Sequence, residues 1–209
     1  MTAARTGVLV AIEGIDGTGK TTLQRALLHH WRALGFKVLP LREPSRGPTG
    51  QRARRASRQD PWTAALAFTE DRRHQRAGLE LALRDGKVVL LDRSFYSTLA
   101  YQGSALAPVR RRELERIQRD ATVVPDRVVL LDLPLREAVA RMEGRGGVRD
   151  PTENRAVLLR ASRAYHQLVR RPRWIVLDAR RPSPELLDEL DQRLTPWLAR
   201  HVRRERRGA

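Results

Sequence analysis

Short apolar runs alternate along the chain with longer amphipathic stretches. Five of the runs, Val8–Ile12, Val38–Leu41, Val88–Leu91, Val128–Leu131 and Trp174–Leu177, are rich in Val, Leu and Ile and show no polar alternation. A strand wetted on one face alternates apolar and polar residues, so unbroken runs predict strands covered on both faces, as in a parallel sheet. The stretches between them repeat at helical spacing. Leu23, Leu27, Trp31 and Leu34 recur every three or four residues, and Gly35 follows as a C-terminal cap. Leu135, Val139 and Met142 form a second stripe, Leu158, Ala161, Tyr165 and Leu168 a third, and Leu186, Leu190, Leu194 and Trp197 a fourth. Asp60-Pro61, Asp150-Pro151 and Ser183-Pro184 each place a capping oxygen before a first-turn proline, and Glu153 stands three residues after Asp150 as in a capping box. Strands alternating with helices imply right-handed crossovers and one parallel sheet with helices on both faces, an α/β architecture. There is no internal repeat and no separating linker, so a single domain is expected over residues 1–209, with a fraying basic tail from 200 to 209.

The first strand runs into Gly14-Ile15-Asp16-Gly17-Thr18-Gly19-Lys20-Thr21, a complete G-x-x-x-x-G-K-[ST] motif that opens the first helix. Its glycines let backbone N–H groups curl around phosphate oxygens without Cβ clashes, and the helix N-terminus adds its positive dipole. Lys20 is placed for the β- and γ-phosphates of a nucleoside triphosphate, and the Thr21 hydroxyl for Mg²⁺, with Thr22 next to it in the first turn. ATP and Mg²⁺ are the expected cofactors. The strand at Leu131-Asp132-Leu133-Pro134 lacks the second adjacent acid usual in motor-type ATPases, which favours a small-molecule kinase.

Composition narrows the partners. The chain has no cysteine, so disulfides and thiolate metal sites are excluded, and its five histidines lack ligand-like spacing. No apolar run approaches the roughly 20 residues of a membrane span, and no signal peptide is visible, so a cytoplasmic protein is expected. Of 41 basic residues only Lys20, Lys37 and Lys87 are lysines, and against 24 acids they leave a net charge of +17. Such a chain attracts anions, although most of its arginines read as a solvated surface.

Further motifs carry a family resemblance over nearly the whole length. Ile12-Glu13-Gly14-Ile15-Asp16-Gly17-Thr18-Gly19-Lys20, Arg42-Glu43-Pro44, Asp92-Arg93 with Ser97, Ala100-Tyr101-Gln102-Gly103, Pro125-Asp126, Leu131-Asp132 and Asp178-Ala179 resemble, in order and spacing, the motifs of thymidylate kinases. The resemblance implies a three-layer P-loop NTPase fold with strand order 2-3-1-4-5 and a small lid, about residues 143–152. It implies phosphorylation of dTMP to dTDP, small-molecule nucleotide partners and a homodimer; no membrane is expected, and nucleic acid is not the favoured partner. Phe68 and Arg72 share one helix face. Taken alone they read as core and surface; by resemblance Phe68 stacks on the base and Arg72 hydrogen-bonds it. Arg93 is expected to clamp the acceptor phosphate, assisted by Arg42. Asp16 would touch the sugar, with Tyr101 near it and Glu43, Ser97, Thr98 and Gln102 also lining the acceptor site. Asp92 is expected to join Thr21 at the metal. Gly17 stands where some members of the family carry a catalytic arginine, so Arg145 and Arg149 in the lid are the expected supports of the transferring group. Arg141 and Asp178 are expected beside adenine.

The chain departs from the family after Pro44, where Ser45-Arg46-Gly47 only loosely follows Gly-Gly-Thr, and between Arg54 and Asp60, which is short and basic. Asp92-Arg93-Ser94 and Glu43-Pro44 also resemble segments of deoxynucleoside kinases, in which Glu43 would be the base that activates a 5′-hydroxyl. A monophosphate acceptor is already ionised and needs cations, which the arginines around 42–58 and 72–76 supply. A nucleic-acid-binding P-loop ATPase is the remaining alternative, suggested by the charge alone.

Overall fold

In the computed structural model the described residues are 6–144, 155–169 and 173–202. Strands β1 (Val8–Glu13), β2 (Val38–Arg42), β3 (Val88–Asp92), β4 (Arg127–Asp132) and β5 (Trp174–Asp178) form one parallel sheet in the order β2-β3-β1-β4-β5. This is the expected P-loop NTPase architecture. Each apolar run is a strand, and each strand continues one residue further, onto Glu13, Arg42, Asp92, Asp132 or Asp178. The ionisable residues therefore line the carboxyl edge of the sheet, where open α/β sheets bind ligands. β2 tolerates Pro40 because it is an edge strand that can lose an N–H on its open side.

Among the described residues the helices are α1 (Lys20–Ala33), α2 (Pro48–Ala56), α3 (Pro61–Arg84), α4 (Phe95–Tyr101), α5 (Pro108–Ala121), α6 (Leu135–Glu143), α7 (Arg155–Leu168) and α8 (Ser183–His201). They cover both faces. Val8, Val10 and Ile12 of β1 join Leu23, Leu27 and Trp31 of α1 and Leu190 and Leu194 of α8, whereas Leu9 and Ala11 join Leu79 and Leu83 of α3. Each fully buried Leu or Val side chain contributes about 1.5–3 kcal/mol relative to exposure.

The punctuation is mostly as expected. Gly35 takes a left-handed φ of 86° and ends α1, with Gly35 N–H donating to Arg32 O and Phe36 N–H to Trp31 O, both at 3.0 Å. The Asp60 carboxylate caps α3 by accepting from the N–H groups of Trp62 and Thr63. At α8 the expected cap is displaced. Pro182 occupies the cap position, and Ser183 already lies inside the helix with no capping bond. Pro182, at φ −57° and ψ 147°, supplies the extended entry itself, so the helix starts one residue early. Asp150-Pro151 and Glu153 fall outside the described residues.

Candidate active site

The phosphate loop leaves β1 through Gly14 (φ 142°), Gly17 (φ 86°) and Gly19 (φ 94°), all in the region that L side chains avoid. Gly17 lies against α6, where an added Cβ would meet the Ala138 carbonyl oxygen at 2.4 Å, so this position has no room for an arginine or any other side chain. Gly19 caps α1, and Lys20 is its first residue. Lys20 is buried, with Nζ donating to Ile15 O at 2.7 Å, and Thr18 Oγ1 donates to the same carbonyl at 2.9 Å. Burial, reinforced by the Arg93 charge, lowers the Lys20 ammonium to about 8. Thr22 is exposed on the first turn.

Thr21 Oγ1 donates to Asp92 Oδ2 at 2.7 Å, which brings together the two side chains expected at a metal, from α1 and the end of β3. The next residue, Arg93, has φ 69°, a left-handed conformation that costs a non-glycine residue about 1–2 kcal/mol. Its guanidinium reaches back over the loop. Nη2 pairs with Asp16 Oδ1 at 2.5 Å, Nη1 donates to Ser97 Oγ at 3.0 Å, and the group lies 5.2 Å from the Tyr101 ring centre. Tyr101 OH donates to Asp16 Oδ2 and accepts from Asp16 N–H, both at 3.1 Å. Burial would raise the Asp16 carboxyl, but the charges of Arg93 and Lys20 and the Tyr101 hydrogen bond outweigh it and hold it at about 2. Burial and the Asp16 charge push the Tyr101 hydroxyl well up, so it stays protonated. Burial opposes the Arg93 charge, but Asp16 more than restores it.

Beside this cluster opens a cavity of about 410 Å³, within the range of small-molecule sites. All ten residues expected at the acceptor, Asp16, Arg42, Glu43, Phe68, Arg72, Arg93, Ser97, Thr98, Tyr101 and Gln102, line it. Their sources are scattered: the loop after β1, the end of β2, one face of α3, the turn after β3, α4 and the residue that follows it. Five arginines, Arg42, Arg46, Arg54, Arg72 and Arg93, face two acids, Asp16 and Glu43. Phe68 is half-buried at the wall. Arg72 is buried, with Nε on Glu43 Oε2 at 2.5 Å, Nη1 on Gln118 Oε1 at 2.7 Å and Nη2 on Ser94 O at 3.3 Å. That leaves two of its five N–H groups for a ligand. Burial pushes the Glu43 carboxyl up to about 7 although Arg72 pulls it down.

Two of the residues expected beside adenine do not line this cavity. Arg141 stands exposed in the last turn of α6, and Asp178, at the end of β5, is held by Arg180 through contacts of 2.6–3.0 Å. The lid arginines Arg145 and Arg149 lie outside the described residues.

A family model described as thymidylate kinase matches residues 12–190. The chain belongs to the thymidylate kinase family. A thymidylate kinase of Xanthomonas campestris pv. campestris (strain B100) is 34% identical over 201 residues, 94% of this chain and 87% of that protein. One of Xanthomonas euvesicatoria pv. vesicatoria (strain 85-10) is 39% identical over 145 residues, 67% of this chain and 62% of that protein. The chain is therefore an enzyme of this type, a P-loop kinase that binds nucleotides. No described helix is long and apolar enough to cross a membrane.

Several residues that support the site were not singled out by the sequence. Gln24 of α1 donates to Leu41 O and Leu90 O at 2.6 and 2.8 Å and so ties α1 to the carboxyl ends of β2 and β3. Asp71 accepts from Ser45 N, Ser45 Oγ, Thr49 Oγ1 and Gln75 Nε2, and so pins the loop that carries Arg46 to α3. Glu13 is fully buried at the end of β1. A polar residue at such a spacing among apolar ones gives no hint of which donors a fold will bring to it.

Proposed function

We propose that the protein transfers the γ-phosphoryl group of ATP to dTMP, giving dTDP. The observation that carries this reading is the arginine-lined cavity next to the phosphate loop. Two anions must be brought together for phosphoryl transfer, and a pocket with five guanidinium groups against two carboxylates suits an acceptor that is itself an anion. Lys20 and the loop amides hold the donor phosphates. Arg93 binds the acceptor phosphate while its contacts to Asp16 and Ser97 fix its plane. Phe68 offers a ring face to the base and Arg72 its remaining donors; Asp16 and Tyr101 lie at the sugar end. Catalysis is then positioning and charge stabilisation. Arg145 and Arg149, in a lid over about 143–152 of a single domain, complete the positive surround, and Arg141 and Asp178 flank the adenine.

Thr21 Oγ1 and Asp92 Oδ2 are hard oxygen donors already within hydrogen-bond distance of each other, a donor set suited to Mg²⁺ completed by phosphate oxygens. Bound there, the ion neutralises phosphate charge. We also propose that the enzyme is cytoplasmic and, on the resemblance, a dimer.

One observation favours a second reading. A Glu43 carboxyl raised to about 7 is suited to a general base, as a nucleoside acceptor requires. A panel of nucleosides and nucleoside monophosphates, assayed for ADP release with ATP, separates the two. Turnover of dTMP with no turnover of thymidine supports phosphate transfer to a monophosphate; the reverse pattern overturns it.

A further inference from the structure

Glu13 is 0% exposed, yet its carboxylate is fully partnered. Oε1 accepts from Ser94 N–H at 2.7 Å and Ser94 Oγ at 2.6 Å; Oε2 accepts from Ser97 Oγ at 2.7 Å and Tyr165 OH at 2.8 Å. Four donors saturate the four lone-pair directions of an ionised carboxyl, which can only accept. Those donors come from the turn after β3, from α4 and from α7. The carboxylate is therefore the point at which β1, α4 and α7 are tied together.

Both pairs of bonds lead to Arg93. The Oε1 pair pins the amide and hydroxyl of Ser94, the residue that follows Arg93, and so holds the chain in the left-handed turn that aims Arg93 back over the phosphate loop. The Oε2 pair sets the direction of a hydroxyl. Ser97 has one proton; Glu13 draws that proton to itself, so that a lone pair of Ser97 Oγ faces Arg93 Nη1, its partner at 3.0 Å. Tyr165 OH, also donating to Glu13, sits 2.9 Å from Ser97 Oγ on the side away from Arg93, so an acceptor for the Ser97 proton on that side leaves a lone pair for the guanidinium. We propose that Glu13 is a positioning residue for the acceptor: through Ser94 and Ser97 it fixes both the backbone and the guanidinium plane of Arg93, while it touches neither substrate. The inference rests on the acceptor role given to Arg93 above.

The conservative change is informative. In Glu13→Gln the amide nitrogen must donate, and Ser94 N–H cannot accept, so the nitrogen turns toward Ser97 and Tyr165. Ser97 then accepts from the amide, and the proton of Tyr165 OH loses its carboxylate acceptor. The test is steady-state kinetics with each substrate varied in turn, on wild type, Glu13→Gln, Ser97→Ala and the double variant, with folding followed by circular dichroism. Glu13→Gln and Ser97→Ala are each expected to raise the KM for dTMP about tenfold, as for one lost charge-assisted contact, and to leave the KM for ATP within about twofold. The double variant is expected to be little worse than the poorer single one, because Glu13 acts partly through Ser97. Equal losses for dTMP and ATP, or unchanged dTMP kinetics in a folded variant, would overturn the proposal. Should Glu13→Gln fail to fold, Tyr165→Phe, which removes one donor to Glu13 and does not line the acceptor cavity, decides by the same split. Wild type run alongside keeps the cases apart: no dTMP turnover there defeats the functional reading, whereas turnover without the split defeats only the role of Glu13.

Discussion

Glu43 gives the sharpest physical prediction. Its side chain is 7% exposed and paired with Arg72 Nε, and burial still raises its carboxyl from 4.5 to about 7. The unfolded chain loses this proton near 4.5; the folded chain keeps it to about 7. Between those values the folded state binds more protons than the unfolded state, so stability falls as pH rises and then levels off. At about 1.4 kcal/mol per tenfold difference in proton affinity, the full cost above pH 7 is about 3 kcal/mol, and about 2–3 kcal/mol of it develops between pH 5 and pH 8. The perturbation is Glu43→Gln, whose amide oxygen can still accept from Arg72 Nε but which cannot titrate. Urea denaturation of wild type and variant at a series of pH values is the assay, and the difference between the two curves is the readout. The absolute stability of the variant is not, because Arg72 loses its counter-charge and a buried unpaired charge is costly. The wild-type curve should fall toward the variant curve, or through it, by about 2–3 kcal/mol over that range. Curves that run parallel would show that Glu43 is ionised throughout and would refute the reasoning. The same variant bears on mechanism. Loss of a general base lowers turnover about 10²–10⁴-fold, whereas a monophosphate acceptor needs no base and escapes that penalty.

Three further outcomes follow from named contacts. Lys20→Ala should lower kcat at least about tenfold while leaving the thermal midpoint nearly unchanged, since among the described residues the ammonium hydrogen-bonds a carbonyl of its own loop, that of Ile15; retention of more than a tenth of wild-type turnover would contradict its role. Gly17→Ala should weaken ATP binding, measured calorimetrically, and destabilise the fold by at least about 1–2 kcal/mol for the left-handed backbone, with the clash against Ala138 O added to it. Asp60→Ala should cost about 1 kcal/mol in urea denaturation through loss of the α3 cap and leave the kinetics unchanged.

What the sequence disclosed tracks how local each signal is. The five strands were legible because strands covered on both faces carry unbroken Val, Leu and Ile, and the phosphate loop because its glycines serve backbone geometry at fixed spacing. Helices with small or uniform burial were not legible. The inner face of α2 is Gly50, Ala53 and Ala56, which leaves no apolar stripe among its arginines. All seven residues of α4 are buried, so it has no periodicity to read. The acceptor residues came from resemblance, and the structure collects all ten around one cavity, from segments up to 86 positions apart along the chain, Asp16 to Gln102. The supports Glu13, Gln24 and Asp71 were hidden for a different reason. Their meaning lies in the donors that face them, which are supplied by the fold. Arg46 and Arg54, lining the cavity from a stretch that departs from the family pattern, were visible only as part of a basic region.

The most direct measurement of the central claim follows the label from γ-³²P-ATP in reactions with dTMP, with DNA, and with neither. The account predicts that label enters dTDP, that transfer requires dTMP, and that DNA neither replaces dTMP nor changes the rate. Label released as inorganic phosphate at the same rate with or without dTMP, or released only when DNA is present, would contradict it.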